Sequence, residues 1–113
     1  SRQMMEILKF AVKNGTGGKA AIDGFDVAGK TGTAQKYNTK TRSYSKTEFI
    51  SSFIGYAPAD APRLVILVMI DNPKGLHWGG VVAAPVFREI AKKSLRYLNV
   101  PSSKERVFIL DRA

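Results

Sequence analysis

The strongest constraint on the fold is an unbroken apolar run, "LVILVMI", at positions 64–70. Turn-forming sequences bound it on both sides, "PADAPR" before it and "DNPKG" after it. A short apolar run between turns predicts a central strand that is covered on both faces. The apolar segment at 49–57 predicts a second strand. The short connection between the two favours an antiparallel pair, because parallel neighbours need a long crossover.

Amphipathic helices are predicted before and after these strands. The first helix spans positions 2–13 and ends at "NGTGGK", where glycine suits a helix C-terminus. Its apolar stripe consists of Met4, Met5, Leu8, Ala11 and Val12. The second helix begins near Pro85, since proline is tolerated in a first turn. Its stripe consists of Phe87, Ile90, Ala91, Leu95 and Leu98.

The segment between the first helix and the second strand divides into two parts. Positions 25–35 carry β-branched and small residues and predict a strand, whereas positions 36–47 are polar and predict a loop. The chain is therefore predicted to be an α+β (α/β class) fold, an antiparallel sheet of about three strands flanked by N- and C-terminal helices. We assign 1–100 to this unit and 101–113 to a tail or linker, with a short apolar patch at 107–110.

One stretch, "GFDVAGKTGTAQ" at positions 24–35, fits two different functional motifs. Gly24 to Thr31 matches the phosphate-loop pattern G-x-x-x-x-G-K-[ST], which requires a helix to begin at the lysine. Glycine, threonine and asparagine follow Lys30-Thr31 instead, with no apolar stripe at helical spacing. A strand that ends in an acid, such as "LVILVMID", is no evidence for a nucleotide site either. Such strands are common outside nucleotide sites, because Asp-Asn-Pro forms a good turn. The missing helix argues against nucleotide binding.

The second motif is Lys30-Thr31-Gly32, the K-T-G box of serine penicillin-recognising enzymes. Here a strand context is required, and the sequence supplies one. A lysine provides positive charge beside a substrate carboxylate, threonine hydroxyls can bind that carboxylate, and glycine lets a substrate backbone approach the strand. The tripeptide alone is a weak signal.

Longer blocks make the match specific. "GTGGKAAIDGFDVAGKTGTAQ", "FIGYAPADAPRLVILVMIDNP" and "GGVVAAPVFREI" resemble, in order and spacing, the class B penicillin-binding proteins. These proteins are monofunctional peptidoglycan D,D-transpeptidases, and the resemblance covers roughly 2–101. It implies the C-terminal part of a penicillin-binding, β-lactamase-like transpeptidase fold.

The resemblance also implies roles for five residues. Lys30 corresponds to the catalytic lysine of the box, which polarises the site and contacts the serine of an S-x-N motif. Thr31 and Gly32 would shape the strand edge. Thr33 would bind the carboxylate of an acyl-D-Ala-D-Ala donor or a β-lactam, and its N–H would be a catalytic oxyanion donor. Gln35 would border the substrate groove.

The nucleophile of this family lies in an S-x-x-K motif well before K-T-G. The sequence has no S-x-N, and its S-x-x-K, Ser43 to Lys46, follows the box in a polar segment where nothing would desolvate the lysine. We therefore interpret Ser43 to Lys46 as coincidental. His77 is the only histidine and the chain has no cysteine, so a metal site is not expected, nor is any cofactor. His77 is interpreted as local structure or groove rim.

These observations predict a fragment that holds one wall of an active site and is inactive alone. We expect its partners to be the upstream segment of the same protein, with the S-x-x-K and S-x-N motifs, the stem peptide ending in D-Ala-D-Ala, and β-lactams. The resemblance implies a bacterial inner-membrane protein with an extracytoplasmic catalytic domain and an anchor outside this chain. The chain starts at Ser1 rather than Met, which fits a fragment.

Two alternatives remain open at this stage. One is a fragment of a β-lactamase or a β-lactam sensor domain. The other is a small basic module that binds nucleic acid or another anionic polymer, because the formal net charge is +9. Its basic residues are scattered, with one concentration at Lys36, Lys40, Arg42 and Lys46 beside Tyr37 and Tyr44. No nucleic-acid motif accompanies them, so no nucleic-acid partner is expected.

Overall fold

The computed structural model describes residues 1–103. In chain order, it contains one main helix, a three-stranded sheet and a second main helix, which confirms the predicted α+β architecture. We label the helices and strands in chain order, with one turn of 3-10 helix at Gly18–Ala20. The elements are α1 (Arg2–Asn14), β1 (Ala28–Asn38), β2 (Ser43–Ala57), β3 (Leu64–Asp71), α2 (Gly79–Val82) and α3 (Ala84–Tyr97).

The three strands form an antiparallel sheet in the order β1-β2-β3. One row of paired residues crosses the whole sheet from Lys30 through Ile54 to Leu67. Residues in such a row share one face of the sheet, since side chains alternate along each strand. In the described part of the chain, β1 and β3 are the two edge strands.

The core lies on the opposite face of the sheet, where α3 packs. Phe53 of β2 and Phe87 of α3 are fully buried, with ring centroids 4.7 Å apart, and Leu95 of α3 is buried beside them. Gly55 leaves room for this pair, because a Cβ at that position would collide with both rings. The buried residues of α3 are Ala84, Phe87, Ala91 and Leu95, which form a narrow stripe along most of the helix.

The prediction of a polar loop at 36–47 is wrong. β1 continues to Asn38 and β2 already begins at Ser43, so most of this segment is a two-stranded hairpin. Tyr37 pairs directly with Tyr44, and aromatic cross-strand pairs stabilise strands whose other residues are polar. The strand also starts later than predicted, at Ala28 rather than at position 25, because a turn with Gly24 at a φ of +85° precedes it.

The apolar run at 64–70 forms β3, as predicted, but it is not covered on both faces. Val65, Leu67 and Met69 are 70%, 56% and 60% exposed, while Val68 is buried against the core. Ile54 of β2 adjoins these residues and is also exposed. We call Ile54, Val65, Leu67 and Met69 the outer apolar patch.

Both helix stripes are only partly buried. In α1, Val12 is buried but Met4 is 54% exposed, and both Ile90 of α3 and Leu98 just after it are exposed. The predicted stripes are right in period and wrong in extent, since the helices pack against only one layer within residues 1–103.

None of the helices in this region combines the length and apolarity needed to cross a bilayer. The predicted patch at 107–110 lies outside the described residues.

Candidate active site

The residues of the K-T-G box lie on β1, the edge strand, and alternate between its two faces. Lys30 is on the face of the outer apolar patch, whereas Thr31 and Thr33 are on the opposite face. The lysine side chain folds back on its own strand. Its Nζ donates to the carbonyl oxygen of Thr31 at 3.1 Å and approaches the Thr31 hydroxyl at 3.4 Å. The ammonium therefore lies beside Thr31 although its Cβ starts from the other face.

Thr31 connects this lysine to the loop after α1. Its hydroxyl lies 3.0 Å from the hydroxyl of Thr16, so one hydroxyl contacts both Lys30 and Thr16. Thr16 belongs to the "GTGG" segment that ends α1. The backbone N–H of Gly17 reaches back to the carbonyl of Ala11, which fixes the path of this segment beside β1.

Thr33 is fixed by the start of α2. Its hydroxyl accepts a hydrogen bond from the backbone N–H of Gly79 at 3.0 Å. Gly79 is buried against the sheet, and a Cβ there would collide with the carbonyl oxygens of Gly32 and Ser52. Only glycine lets α2 begin this close to β1, and the close approach places a backbone donor on Thr33.

A cavity of about 460 Å³ opens at this end of β1. Thr31 and Thr33 line one side of it, with Thr16 and Lys19 from the loop after α1 and Trp78 from the segment before α2. Trp78 is 58% exposed, so its indole forms a wall rather than part of the core. The recess combines the threonine hydroxyls, the ammonium of Lys19 and an aromatic wall. This combination suits a ligand with a carboxylate and an apolar body.

Three of the five predicted site residues, Lys30, Gly32 and Gln35, do not line this cavity. Gly32 pairs with Ser52, whose hydroxyl donates weakly to the Gly32 carbonyl at 3.4 Å, and a Cβ at Gly32 would meet that hydroxyl. Gln35 is exposed further along β1, opposite Phe49, and does not line the cavity. The structure thus brings Thr31 and Thr33 together at the cavity, with Lys30 in contact with Thr31 and Gln35 further along β1.

His77 has a structural setting, in line with its interpretation as local structure. Its ring stacks on Phe49 with centroids 3.8 Å apart and an interplanar angle of 6°. The ring of Trp78 is tilted over His77 at 4.6 Å, and the hydroxyl of Ser51 donates to the His77 carbonyl oxygen. The stack holds the segment that carries Trp78 into the cavity wall.

The chance S-x-x-K match does not form a nucleophilic site. Ser43 and Lys46 both lie exposed on β2, and the Ser43 hydroxyl contacts the Thr41 hydroxyl at 2.9 Å. An exposed lysine on a strand is not desolvated and does not activate a serine.

Comparison with known proteins decides the family. A model of the penicillin-binding protein transpeptidase domain matches residues 1–92. The chain belongs to the penicillin-binding protein transpeptidase family. It is 46% identical over 108 residues to stage V sporulation protein D of Bacillus subtilis, covering 95% of this chain and 16% of that protein. It is 46% identical over 91 residues to a probable peptidoglycan D,D-transpeptidase, PenA, of Neisseria flavescens, covering 80% of this chain and 22% of that protein.

Solved structures of this family agree with the fold. Penicillin-binding protein 3 of Mycobacterium tuberculosis in complex with ampicillin superposes with a TM-score of 0.78 at 36% identity, covering 88% of this chain and 24% of that one. The apo transpeptidase domain of penicillin-binding protein 3 from Burkholderia pseudomallei gives 0.76 at 42% identity, covering 87% and 30%. The chain thus spans less than a third of each of these relatives.

Sequence reasoning assigned no role to Thr16, Trp78 or Gly79. Their signals are visible in hindsight: a threonine between glycines where a helix stops, and an aromatic residue before a glycine pair where a helix starts. Neither signal says which strand the residue approaches, because that depends on contacts across 15 and 46 positions of sequence.

Proposed function

We propose that this chain forms one wall of the active site of a class B penicillin-binding protein, a serine peptidoglycan D,D-transpeptidase. One observation carries the proposal: Thr31 and Thr33 line an open cavity at the edge strand β1, and the Lys30 ammonium contacts Thr31. Membership of the transpeptidase family supports this use of the edge. A structure neighbour with ampicillin bound supports β-lactams as ligands.

In the proposed reaction, an upstream serine attacks the carbonyl carbon of the penultimate D-Ala of a stem peptide. The ester bond forms, the amide bond breaks, and D-Ala leaves with the proton. The amine of a neighbouring stem peptide then attacks the ester, forms the cross-link and releases the serine hydroxyl. A β-lactam follows the first step only, because its ring opens and its leaving group stays attached.

Each of the five predicted site residues has a part in this scheme. Thr33, with Thr31, binds the terminal carboxylate of the donor, while its N–H is one donor to the developing oxyanion. Lys30 supplies positive charge and contacts the S-x-N serine. Gly32 allows the substrate backbone to lie along the strand. Gln35 borders the groove beyond the cavity.

The proposal requires the upstream segment, with its S-x-x-K and S-x-N motifs, as partner. Lys30 shares its face with the outer apolar patch, and an exposed patch of this kind favours a covering partner. A segment packed on that patch would bring its serine towards Lys30. The chain alone would be inactive. The family also supports an extracytoplasmic location in a bacterial inner-membrane protein, with the anchor outside this chain.

The test is to co-express this chain with the upstream segment of its parent protein and add a fluorescent penicillin. We expect a covalent label on the upstream chain, none on this chain, and none when this chain is omitted. Lys30→Met should abolish labelling, while Lys93→Met on α3, which is exposed and far from the cavity, should leave it intact.

A label on Ser43 would contradict the proposal. So would labelling of the complex that is unaffected by Lys30→Met. Rapid hydrolysis of the labelled adduct would favour the β-lactamase alternative over a transpeptidase.

A further inference from the structure

The hairpin formed by β1 and β2 extends past the rest of the sheet. β3 pairs with β2 only as far as Ile50 opposite Asp71, whereas β1 and β2 remain paired to Asn38 opposite Ser43. We call residues 36–48 the hairpin ribbon. The longest dimension of the molecule, 64 Å against 29 and 20 Å, is consistent with this projection.

The ribbon is an organised structure. A two-stranded hairpin is marginally stable in water on its own, so specific contacts must hold it. Tyr37 and Tyr44 face each other across it edge to face, with ring centroids 5.3 Å apart. At the tip, Asn38 Oδ1 accepts from the N–H groups of Lys40 and Thr41 at 2.9 and 3.3 Å, which fixes the turn.

The ribbon carries four cations, Lys36, Lys40, Arg42 and Lys46, and one carboxylate, Glu48. Lys36 pairs with Asp71 of β3 at 2.8 Å and anchors the base of the ribbon to the sheet. The other three cations, Lys40, Arg42 and Lys46, are exposed, and none of the ion pairs among residues 1–103 includes them.

The ribbon also offers aromatic surface and a recess. Tyr37 and Tyr44 are 54% and 64% exposed although they touch each other. A cavity of about 320 Å³ lies beside Tyr37, Lys40 and Glu48. Tyrosine rings with one face in solvent provide flat apolar area and a hydroxyl, which suits the C–H faces and hydroxyls of sugar rings. Lysine and arginine beside them suit carboxylates.

We propose that the hairpin ribbon is a second substrate-binding surface, which holds an un-cross-linked peptidoglycan strand outside the catalytic cavity. Tyr37 and Tyr44 stack on its sugars, and Lys40, Arg42 and Lys46 pair with carboxylates of its stem peptides.

The choice of occupant rests on the proposed function. Thr33 and Tyr37 are on the same strand four positions apart, which at ~3.3 Å per residue is roughly 13 Å. A stem peptide bound at Thr33 is attached to a glycan strand that must leave the cavity, and the ribbon is the continuation of the same edge strand. A nucleic acid has no such connection to the cavity.

The binding test uses the 113-residue chain without its upstream partner. Soluble glycan strands with intact pentapeptide stems are titrated by calorimetry, alongside the same strands stripped of their stems by an amidase. The charge variant is Lys40→Gln, Arg42→Asn and Lys46→Gln, with asparagine chosen because Arg42 has a φ of +52°. The matched control removes the same three charges from α3, by Lys92→Gln, Lys93→Gln and Arg96→Gln.

We expect stem-bearing strands to bind, stripped strands to bind about tenfold more weakly, and the charge variant to lose about tenfold, as for one or two lost ion contacts. The α3 control should change affinity less than about twofold, the level of a rim charge. Tyr37→Leu with Tyr44→Leu should weaken glycan binding about tenfold but leave inorganic polyphosphate binding unchanged.

Equal losses in the charge variant and the α3 control would overturn the proposal, because they would indicate attraction by net charge alone. Tighter binding of single-stranded RNA than of glycan would also overturn it and favour the basic-module alternative. This titration requires no acylation, so its result is independent of the penicillin test. If glycan bound the ribbon but penicillin did not label the complex, only the proposed active site would be refuted. Labelling without ribbon binding would refute this inference alone.

Discussion

The backbone N–H of Gly79 donates a hydrogen bond to the hydroxyl of Thr33 at 3.0 Å, although 46 positions of sequence separate them. This contact joins the start of α2 to the strand that carries the candidate site. It exists because Gly79 has no Cβ and can lie directly on Gly32 and Ser52.

Replacing Gly79 by alanine should therefore displace α2. The added Cβ would collide with backbone oxygens of the sheet, which cannot rotate away, so we expect a loss of about 3 kcal/mol in the free energy of unfolding. Gly18→Ala is the control, because a Cβ at that position would meet its nearest neighbour, the carbonyl oxygen of Val12, at an ordinary 3.8 Å. Denaturant titration measures both, and equal stability of the two variants would show that α2 is not held against β1 as described.

Thr33→Val should lower the rate of penicillin acylation in the complex with the upstream segment. The variant keeps the shape of the side chain but removes the hydroxyl that would bind the ligand carboxylate. Loss of one hydrogen bond to a charged group costs about 1.5–3 kcal/mol, or about 10- to 100-fold in rate. Thr33→Ser restores the hydroxyl and should recover most of the rate. Stopped-flow labelling compares the three proteins, and equal rates would exclude a role for the hydroxyl.

Phe53→Ala should unfold or nearly unfold the isolated chain. The ring is fully buried against Phe87, and removing a buried phenylalanine costs about 3–5 kcal/mol. Val65→Ala, at a site 70% exposed, should change the midpoint of thermal unfolding very little. If both variants melted alike, the core would not lie on the α3 face of the sheet.

Leu67→Ser should weaken both self-association of the chain alone and binding of the upstream segment in the complex. Leu67 is 56% exposed in the outer apolar patch, so serine should reduce self-association measured by analytical ultracentrifugation. In the complex, burying serine instead of leucine should weaken binding of the upstream segment by about 2 kcal/mol. Tyr97→Ser, at a site 85% exposed on α3, is the control and should leave that affinity unchanged. Identical affinities for all three proteins would show that the patch is not the interface.

The anchor of the hairpin ribbon should be lost at high pH. The hydrogen bond to Asp71, together with that carboxylate's negative charge, raises the pKa of Lys36 above its ordinary value of 10.5. A raised lysine pKa means that the pair stabilises the fold fully below pH 10.5 and progressively less as the pH rises through the folded-state pKa. Lys36→Met should therefore lower the melting temperature slightly at pH 8, with the difference shrinking above pH 10.5. A difference that is constant with pH would contradict the ion pair.

Local sequence predicted the strands, the helices and the K-T-G box, because each depends on periodicity and turn residues within a few positions. It did not predict the hairpin ribbon, since polar strands such as 36–47 are held by cross-strand partners like Tyr37 and Tyr44. It also overestimated burial at Leu67 and Ile90. An apolar residue signals that some surface will be covered, but not whether the covering residues belong to the same 103 described positions.

The register of β1 has a consequence for how this strand tolerates changes in length. One inserted or deleted residue between Ala28 and Lys30 would exchange the faces of Lys30 and Thr33, and one between Lys30 and Thr33 would put both on the same face. The irregularity in pairing lies later, between Gln35 and Tyr37, and already absorbs unequal numbers of residues in the two strands. Insertions and deletions should therefore be accepted beyond Gln35 and rejected before it, so that the ribbon can vary in length while the candidate site stays unchanged.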